Sequence, residues 1–305
     1  MGGVIAVREI PMKTSSSLRR IAISAAIVAG LTAGIGFATE PTSCNLKVVK
    51  FYDKNANGLY DAGDRVIVGW PMTLGRAGSE ARSTQLTNSS GQARWSLLPA
   101  GGGYWVGEAM PVESNWVQSA PVDADGNPVN PVTDVTLIAG RSKVIKFGNY
   151  CLAPSGGRTP GFWSNKNGRA RLLDELDGAE EELALLRDLN LVDGNGLPFD
   201  PTTAEEVQAW INKTNATNMA AKLSSHLAAM VLNREAGFVN GTRTYLPFGG
   251  TINELIALAN ESLARDQFTP TGDEERAIQE QLKDHLDALN NGANAVAAKP
   301  CKRTF

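Results

Sequence analysis

Residues 53–64, DKNANGLYDAGD, have the residue types and the spacing of a calcium-binding loop. Oxygen-bearing side chains stand at alternating positions, a glycine stands at the sixth, and the seventh offers its backbone carbonyl. Calcium takes about six to eight oxygen ligands, so short carboxylate and amide side chains converge on it only where the chain coils tightly. Position twelve is an aspartate, which is shorter than the glutamate typical there. The predicted calcium ligands are Asp53, Asn55, Asn57, Leu59, Asp61 and Asp64, with Gly58 at the turn.

The segments on either side of this loop have the composition of β-strands. LKVVKFY precedes the loop, and RVIVGWP follows it and contains Gly69 and Pro71, which a helix would not accept. The loop is therefore predicted to pin two strands at the edge of a sheet. A helix–loop–helix switch is excluded.

Two regions with different periodicity predict a multidomain chain of the β plus α class. In residues 44–151, short runs rich in Val, Ile, Thr and aromatics alternate with turn residues, which predicts a β-sandwich. In residues 169–305, apolar residues recur at helical spacing, which predicts an all-α domain of about five helices. Residues 152–168 between them are rich in Pro and Gly, and their Phe162 and Trp163 indicate a linker docked on a surface.

Composition favours a surface protein. The chain has 305 residues, 42% of them apolar and 20% charged, with a net charge of −3 and only two His. It is long enough for two domains with cores of their own. Since no basic face with interleaved aromatics is present, nucleic acid is not an expected partner.

The N-terminal 38 residues have the features of a signal peptide. Basic residues at Lys13, Arg19 and Arg20 precede an apolar run over residues 21–37, and the small-residue pattern before Ala38 predicts cleavage after it. Met12 is a more usual start for such a peptide than Met1. An uncleaved anchor is the alternative. We expect general export, and no membrane span after cleavage.

Three cysteines remain in the mature chain, and export makes their oxidation expected. Cys44 and Cys151 bracket the predicted sandwich, so a disulfide between them would tie its ends together. Pairing of Cys151 with Cys301 is the alternative, and the sequence leaves the connectivity open.

Three stretches in order resemble the B-type repeats of bacterial surface proteins: FYDKNANGLYDAGD with VGWPMTL, TNSSGQARWSLLPAGGGYWVGEAMP, and VTLIAGRSKVIKFGNY. These repeats are the serine-aspartate-repeat B domains and the related collagen-adhesin B domains. The resemblance runs from residue 51 to residue 150 and implies a prealbumin-like, Ig-like sandwich of seven strands that serves as a stalk or spacer. The family's LPxGxYxVxE element matches at Leu98, Pro99, Gly103, Tyr104, Val106 and Glu108, with an insertion of glycine around Gly101 and Gly102. TPGFW, followed by NKNG, resembles a motif found after such domains in exported bacterial proteins. This second resemblance implies no activity.

The same resemblance implies an isopeptide bond, an amide formed between two side chains of the protein. Many collagen-adhesin B domains join a Lys of the first strand to an Asn of the last, promoted by a buried acid. The matching residues here are Lys50, with Lys47 as the alternative, together with Asn149 and Glu108. A buried amine that is neutral is nucleophilic, and a buried acid that is protonated polarises the amide. The alternative is a solvated Lys50 and an Asn149 in a turn.

No catalytic arrangement stands out, and we predict that the chain is not an enzyme. His226 and His285 lie in helical stretches without a second ligand at metal spacing. An active site in the helical half would need a cleft where one of them meets a carboxylate. A carbohydrate-binding module would instead expose a row of tryptophans along one sheet. The predicted role is structural or adhesive at the cell surface, with other surface proteins, extracellular matrix or polysaccharide as partners and calcium as the structural metal.

Overall fold

The computed structural model describes residues 43–111, 113–173 and 179–305, so the predicted export segment, residues 1–38, lies outside the described residues. The strands are β1 (Ser43–Tyr52), β2 (Arg65–Val66), β3 (Pro71–Arg76), β4 (Arg82–Leu86), β5 (Gln92–Pro99), β6 (Gly101–Glu108), β7 (Trp116–Ala120), β8 (Val132–Leu137), β9 (Ser142–Pro154), β10 (Thr244–Tyr245), β11 (Gly250–Thr251) and β12 (Asn294–Val296). The helices are α1 (Pro160–Trp163), α2 (Lys166–Leu172), α3 (Glu180–Arg187), α4 (Ala204–Lys213), α5 (Met219–Glu235), α6 (Ile252–Arg265) and α7 (Arg276–Asn290).

Two sheets face each other in the N-terminal half. One contains β1, β2, β5, β7, β9 and β12, and the other has the order β4-β3-β6-β8. β1 runs parallel to β9 on one side and antiparallel to β5 and β2 on the other. The structure describes more strands than the seven that the resemblance implies. Part of the difference comes from β2 and β12, which extend the first sheet. The first and last long strands of the sandwich are neighbours.

The core between the sheets follows from the two-residue period of the strands. Leu46 and Val48 of β1, Met72 and Leu74 of β3, and Val106 of β6 all point inward and are buried. Each such side chain contributes about 1.5–3 kcal/mol when it is fully buried. The alternation predicted from sequence therefore sets which face of each strand meets the other sheet.

The helical half is built around α5. The sequence predicts an amphipathic helix stopped by Gly237, and the stop is confirmed, since α5 ends at Glu235 and Gly237 follows with φ of 70°. The amphipathic prediction is wrong, because the helix is buried nearly all round, polar residues included. Ser224, for example, accepts a hydrogen bond from the backbone N–H of Val192. In the described ranges, no helix is both long and apolar enough to cross a bilayer.

The helical half contributes a strand to the sandwich. β12 pairs antiparallel with the end of β9, with Val296 opposite Leu152. The buried guanidinium of Arg243 donates to backbone carbonyls of both strands, including Ala153 and Ala295. The two halves therefore share a sheet.

The disulfide joins Cys151 to Cys301, and Cys44 is a buried free thiol. The predicted Cys44–Cys151 bridge is wrong because β1 and β9 are parallel. Their register places Asn45 opposite Ser142, so Cys44 and Cys151 lie at opposite ends of the strand pair. About ten residues of strand separate those ends by about 30 Å, far beyond disulfide reach.

The segment predicted as a linker, residues 152–168, holds the end of β9, all of α1 and the start of α2. Thr159 caps α1, because its side chain accepts from the N–H of Phe162, and Pro160 follows at the first helical position. Trp163 is buried and its Nε1 donates to Asn233 of α5 at 3.2 Å. TPGFW is thus docked on the helical half.

Candidate functional site

Lys50 lies in β1 between apolar residues, and its side chain is fully buried. In the register of β1 with β9, Lys50 is opposite Phe147, and Asn149 lies two residues further along. Residues two apart on a strand share a face, so Asn149 lies on the same face of the sheet as Phe147 and Lys50. The side chains of Lys50 and Asn149 therefore both enter the space between the sheets. Lys50 Nζ contacts Asn149 Oδ1 directly.

Glu108 reaches the same point from the opposite sheet, at the end of β6. Its Oε2 lies 2.6 Å from Lys50 Nζ, and its Oε1 accepts from Asn149 Nδ2 at 3.0 Å. Asn130 positions it, because the Asn130 side chain bonds both the backbone N–H and the carbonyl of Glu108, each at 3.0 Å. A side chain at Gly107 would lie 2.9 Å from Asn130 Oδ1, which explains the glycine there. We call Lys50, Glu108 and Asn149 the buried site.

Burial changes the ionisation of this pair. It lowers the pKa of Lys50 to about 8, against the opposing effect of Glu108. It also raises the pKa of Glu108, against the opposing effect of Lys50. Both shifts move the pair toward a neutral amine beside a protonated acid.

The structure brings together three of the residues predicted from the resemblance. Lys47, the alternative amine, is partly exposed and lies opposite Arg94 and Val144 in the strand register. It is three residues from Lys50 on the same strand, so its side chain lies on the other face of β1. Asn130 was not predicted, because a turn residue before Pro131 carries no sequence signal of its long-range partner.

In the predicted calcium loop, the carboxylates accept hydrogen bonds from the loop's own backbone. Asp53 is fully buried and accepts from the N–H groups of Asn57 and Gly58 at 3.1 and 2.7 Å. Asp64 accepts from the N–H groups of Lys54 and Asp61 at 3.0 and 3.2 Å. These bonds fold residues 53–64 into a closed turn between β1 and β2.

The remaining predicted ligands are partly or fully exposed. Asn55 accepts from the N–H of Asn57, and Asn57 accepts from the N–H of Leu59 and donates to Asp61. Asp64 has a raised pKa, caused first by burial and then by the negative charges of Asp53 and Asp61, despite the two backbone bonds that act in the opposite direction. Three carboxylates are therefore close enough to repel, a charge excess that a cation would relieve.

Within the described ranges, no group of three or more His, Cys, Asp or Glu is gathered in the geometry of a metal site. The three predicted carboxylate ligands, Asp53, Asp61 and Asp64, are therefore not gathered in that geometry, and the other predicted ligands are two Asn side chains and the Leu59 carbonyl. The donor set fits calcium chemically, since all of its ligands are hard oxygens.

The histidines and tryptophans take structural positions. His226 is buried on α5, its Nδ1 3.6 Å from Asp287 Oδ1, and burial lowers its pKa to about 4. The ring of His285 packs against Tyr245 and Phe248. Trp70, Trp95 and Trp116 are buried in the sandwich core, so the row of exposed tryptophans expected of a carbohydrate platform is not formed by them.

No protein-family model matches the chain, and no curated protein matches it. Solved structures with a local likeness include pilin subunits. The Bacillus anthracis TIE protein is 18% identical over 35% of this chain and 16% of its own, with a TM-score of 0.25. The minor pilin GBS52 of Streptococcus agalactiae is 14% identical over 36% of this chain and 44% of its own, with a TM-score of 0.25. The shaft pilin SpaA of Lactobacillus rhamnosus GG is 15% identical over 37% of this chain and 52% of its own, with a TM-score of 0.26. The chain thus spans at most about half the length of these proteins.

Proposed function

We propose that the chain is an exported structural or adhesion-type protein of the cell surface or extracellular matrix, with a sandwich closed by an amide between Lys50 and Asn149. One observation carries this proposal: a buried amine, a buried carboxamide and a buried acid meet between the first and last long strands. A buried Lys–Glu pair is a weak source of stability, which favours a chemical role for it.

The reaction uses only the chain's own atoms. The neutral amine of Lys50 attacks Cγ of Asn149, and the new C–N bond forms as the bond from Cγ to Nδ2 breaks. The proton lost by Nζ passes to Nδ2, which leaves as ammonia. Glu108 contacts both nitrogen atoms, so the protonated acid can donate its proton to Nδ2 and take up the proton that Nζ loses on its other oxygen, which leaves Glu108 unchanged.

The product would suit a protein under tension. β1 and β9 are neighbours in one sheet, and a side-chain amide between them adds a covalent bond to backbone hydrogen bonds that force can separate. The reaction occurs once per chain, so the proposal assigns no turnover of an external substrate. Other surface proteins, or extracellular matrix or polysaccharide, are the proposed partners.

Intact mass of the reduced protein tests the amide. We expect wild type to be lighter than its sequence by one ammonia, and Lys50→Ala, Asn149→Ala and Glu108→Ala to have their full masses. Lys47→Ala is the matched control and should lose ammonia as wild type does, because Lys47 lies outside the buried site. A full mass for wild type would reject the proposed amide.

Calcium binding by residues 53–64 is a separate part of the proposal, supported by the mutual repulsion of Asp53, Asp61 and Asp64. Bound calcium would hold the turn between β1 and β2. Calorimetric titration with Ca²⁺ tests it on the wild-type chain. The control variant is Asp123→Ala, which should bind calcium as wild type does. Asp123 accepts the same kind of local backbone N–H bonds, but in a different exposed turn. Absence of calcium-dependent heat in wild type would reject this part alone.

A further inference from the structure

Residues 301–305 lie across the end of the sandwich beside the buried site. Cys301 is bonded to Cys151, two residues after Asn149. The carbonyl of Lys302 accepts from Trp116 Nε1 at 3.0 Å, and Arg303 donates to the carbonyl of Val68 at 3.2 Å. We call residues 301–305 the tail segment.

The tail segment and the buried site meet at one aromatic ring. Trp70 is fully buried, and the centre of its ring lies 4.2 Å from Lys50 Nζ. The same ring lies 5.1 Å from the guanidinium carbon of Arg303 and 5.0 Å from the ring of Phe305. Trp70 is therefore packed between the reactive amine and the tail segment.

Lys50 and Arg303 both place a cationic group near the Trp70 ring, so the two positive charges are close to each other as well as to the ring. An arginine keeps its proton under all physiological conditions, whereas a lysine can lose one. Lys50 is thus the group that loses its proton. Burial is the main cause of the lowered pKa of Lys50, and the positive charge of Arg303 lowers that pKa further. The charged groups that face Lys50 are Glu108 from β6 and Arg303 from the tail segment.

We propose that the tail segment is a positioning element for amide formation, with Arg303 and Phe305 holding Trp70 against Lys50 and the Cys151–Cys301 disulfide anchoring them there. The inference rests on the proposed amide and extends it: the sandwich supplies the reacting groups, and a segment that follows the helical half completes their surroundings. Arg303 and Phe305 act through Trp70.

Cell-free synthesis of the whole chain under oxidising conditions, with intact mass followed over time, tests the inference. We expect Arg303→Gln and Phe305→Ala to form the amide about tenfold more slowly, within the range that small displacements of reacting groups cost. Cys301→Ser should slow it further, because both side chains lose their anchor. Arg303→Lys should restore most of the rate, since a purely structural loss would not depend on charge.

Lys302→Gln is the matched control. It removes one positive charge at an exposed position next to Arg303 in the sequence, whereas Arg303 is the residue over the Trp70 ring. Circular dichroism of each product checks that the variant folds, which we expect for Arg303→Gln because Arg303 is partly exposed. If wild type never loses ammonia, the proposed amide fails and the inference with it. If wild type loses ammonia and Arg303→Gln does so equally fast, the inference alone is overturned.

Discussion

The buried site and the loop of residues 53–64 begin three residues apart in the chain, at Lys50 and Asp53, and both depend on carboxylates. In the buried site, Glu108 faces an amine and a carboxamide that arrive from two other strands. In the loop, Asp53 and Asp64 face backbone N–H groups from residues of the same turn. The first arrangement holds polar groups of different strands in contact away from solvent, and the second bonds its carboxylates to nearby backbone N–H groups but leaves their negative charges close together.

The difference shows how burial changes what a carboxylate does. Burial disfavours the charged form of Glu108 and raises the pKa of its carboxyl, which favours the protonated acid that the proposed reaction uses. Near the surface, Asp64 is only partly desolvated, and its excess negative charge is best offset by a cation. One region is therefore suited to making a bond within the protein and the other to binding an ion from outside.

Lys50→Ala should have the largest effect on stability. It removes the amide, leaves a cavity where the buried lysine side chain lay and leaves an oxygen of Glu108 without its partner, so we expect the free energy of unfolding to fall by about 2–5 kcal/mol. Denaturant unfolding measures it. Lys47→Ala should change stability by less than about 0.5 kcal/mol, as an exposed substitution does. Equal losses for the two variants would remove the distinction between the buried site and the surface.

The pH dependence of Asn149→Ala should differ from that of wild type, because Lys50 then stays a free amine. Its pKa is lowered from 10.5 to about 8, so between these pH values the unfolded chain binds more protons than the folded chain. The free energy of unfolding of the variant should therefore rise across this window relative to wild type. The rise should be at most a few kcal/mol, since one pKa unit is worth about 1.4 kcal/mol. If the free energy of unfolding had the same pH dependence in wild type and the variant, Lys50 would be an unbonded amine in both proteins.

Calcium should raise the melting temperature of wild type, and a chelator should reverse the rise. At a free concentration about a hundred times Kd, binding to the folded state adds about 2.7 kcal/mol. Asp53→Ala should abolish the calcium response, although it also lowers stability in chelator because Asp53 is buried and bonded to the turn. A shift that survives in Asp53→Ala would place the ion elsewhere.

Asp61→Asn should have the smallest effect, and its sign should depend on calcium. In chelator it removes one of three repelling carboxylates, so stability should rise by a fraction of a kcal/mol, as for other surface charges. With calcium it removes a charged ligand, and stability should fall below wild type. Melting curves in the two buffers test this reversal, and a loss of stability in both would argue against the repulsion.

Local sequence patterns predicted the local structure well. The loop between two strands and the helix stop at Gly237 both follow from residues close together in sequence. The buried site needed the resemblance, because the pairing of strands far apart in the chain leaves no local signal. The sequence predicted the Cys151–Cys301 bridge only as the alternative pairing, because the choice between the two pairings depends on β1 and β9 being parallel and on the chain returning through β12.

The Cys151–Cys301 disulfide encloses the whole helical half within one covalent ring. With the proposed amide in place, tension applied between the start of β1 and residue 305 would pass from Lys50 to Asn149. It would continue along β9 to Cys151 and cross directly to Cys301. The helices would carry none of that load, so the chain could be stretched between these two points while the helical half remained folded beside the force path.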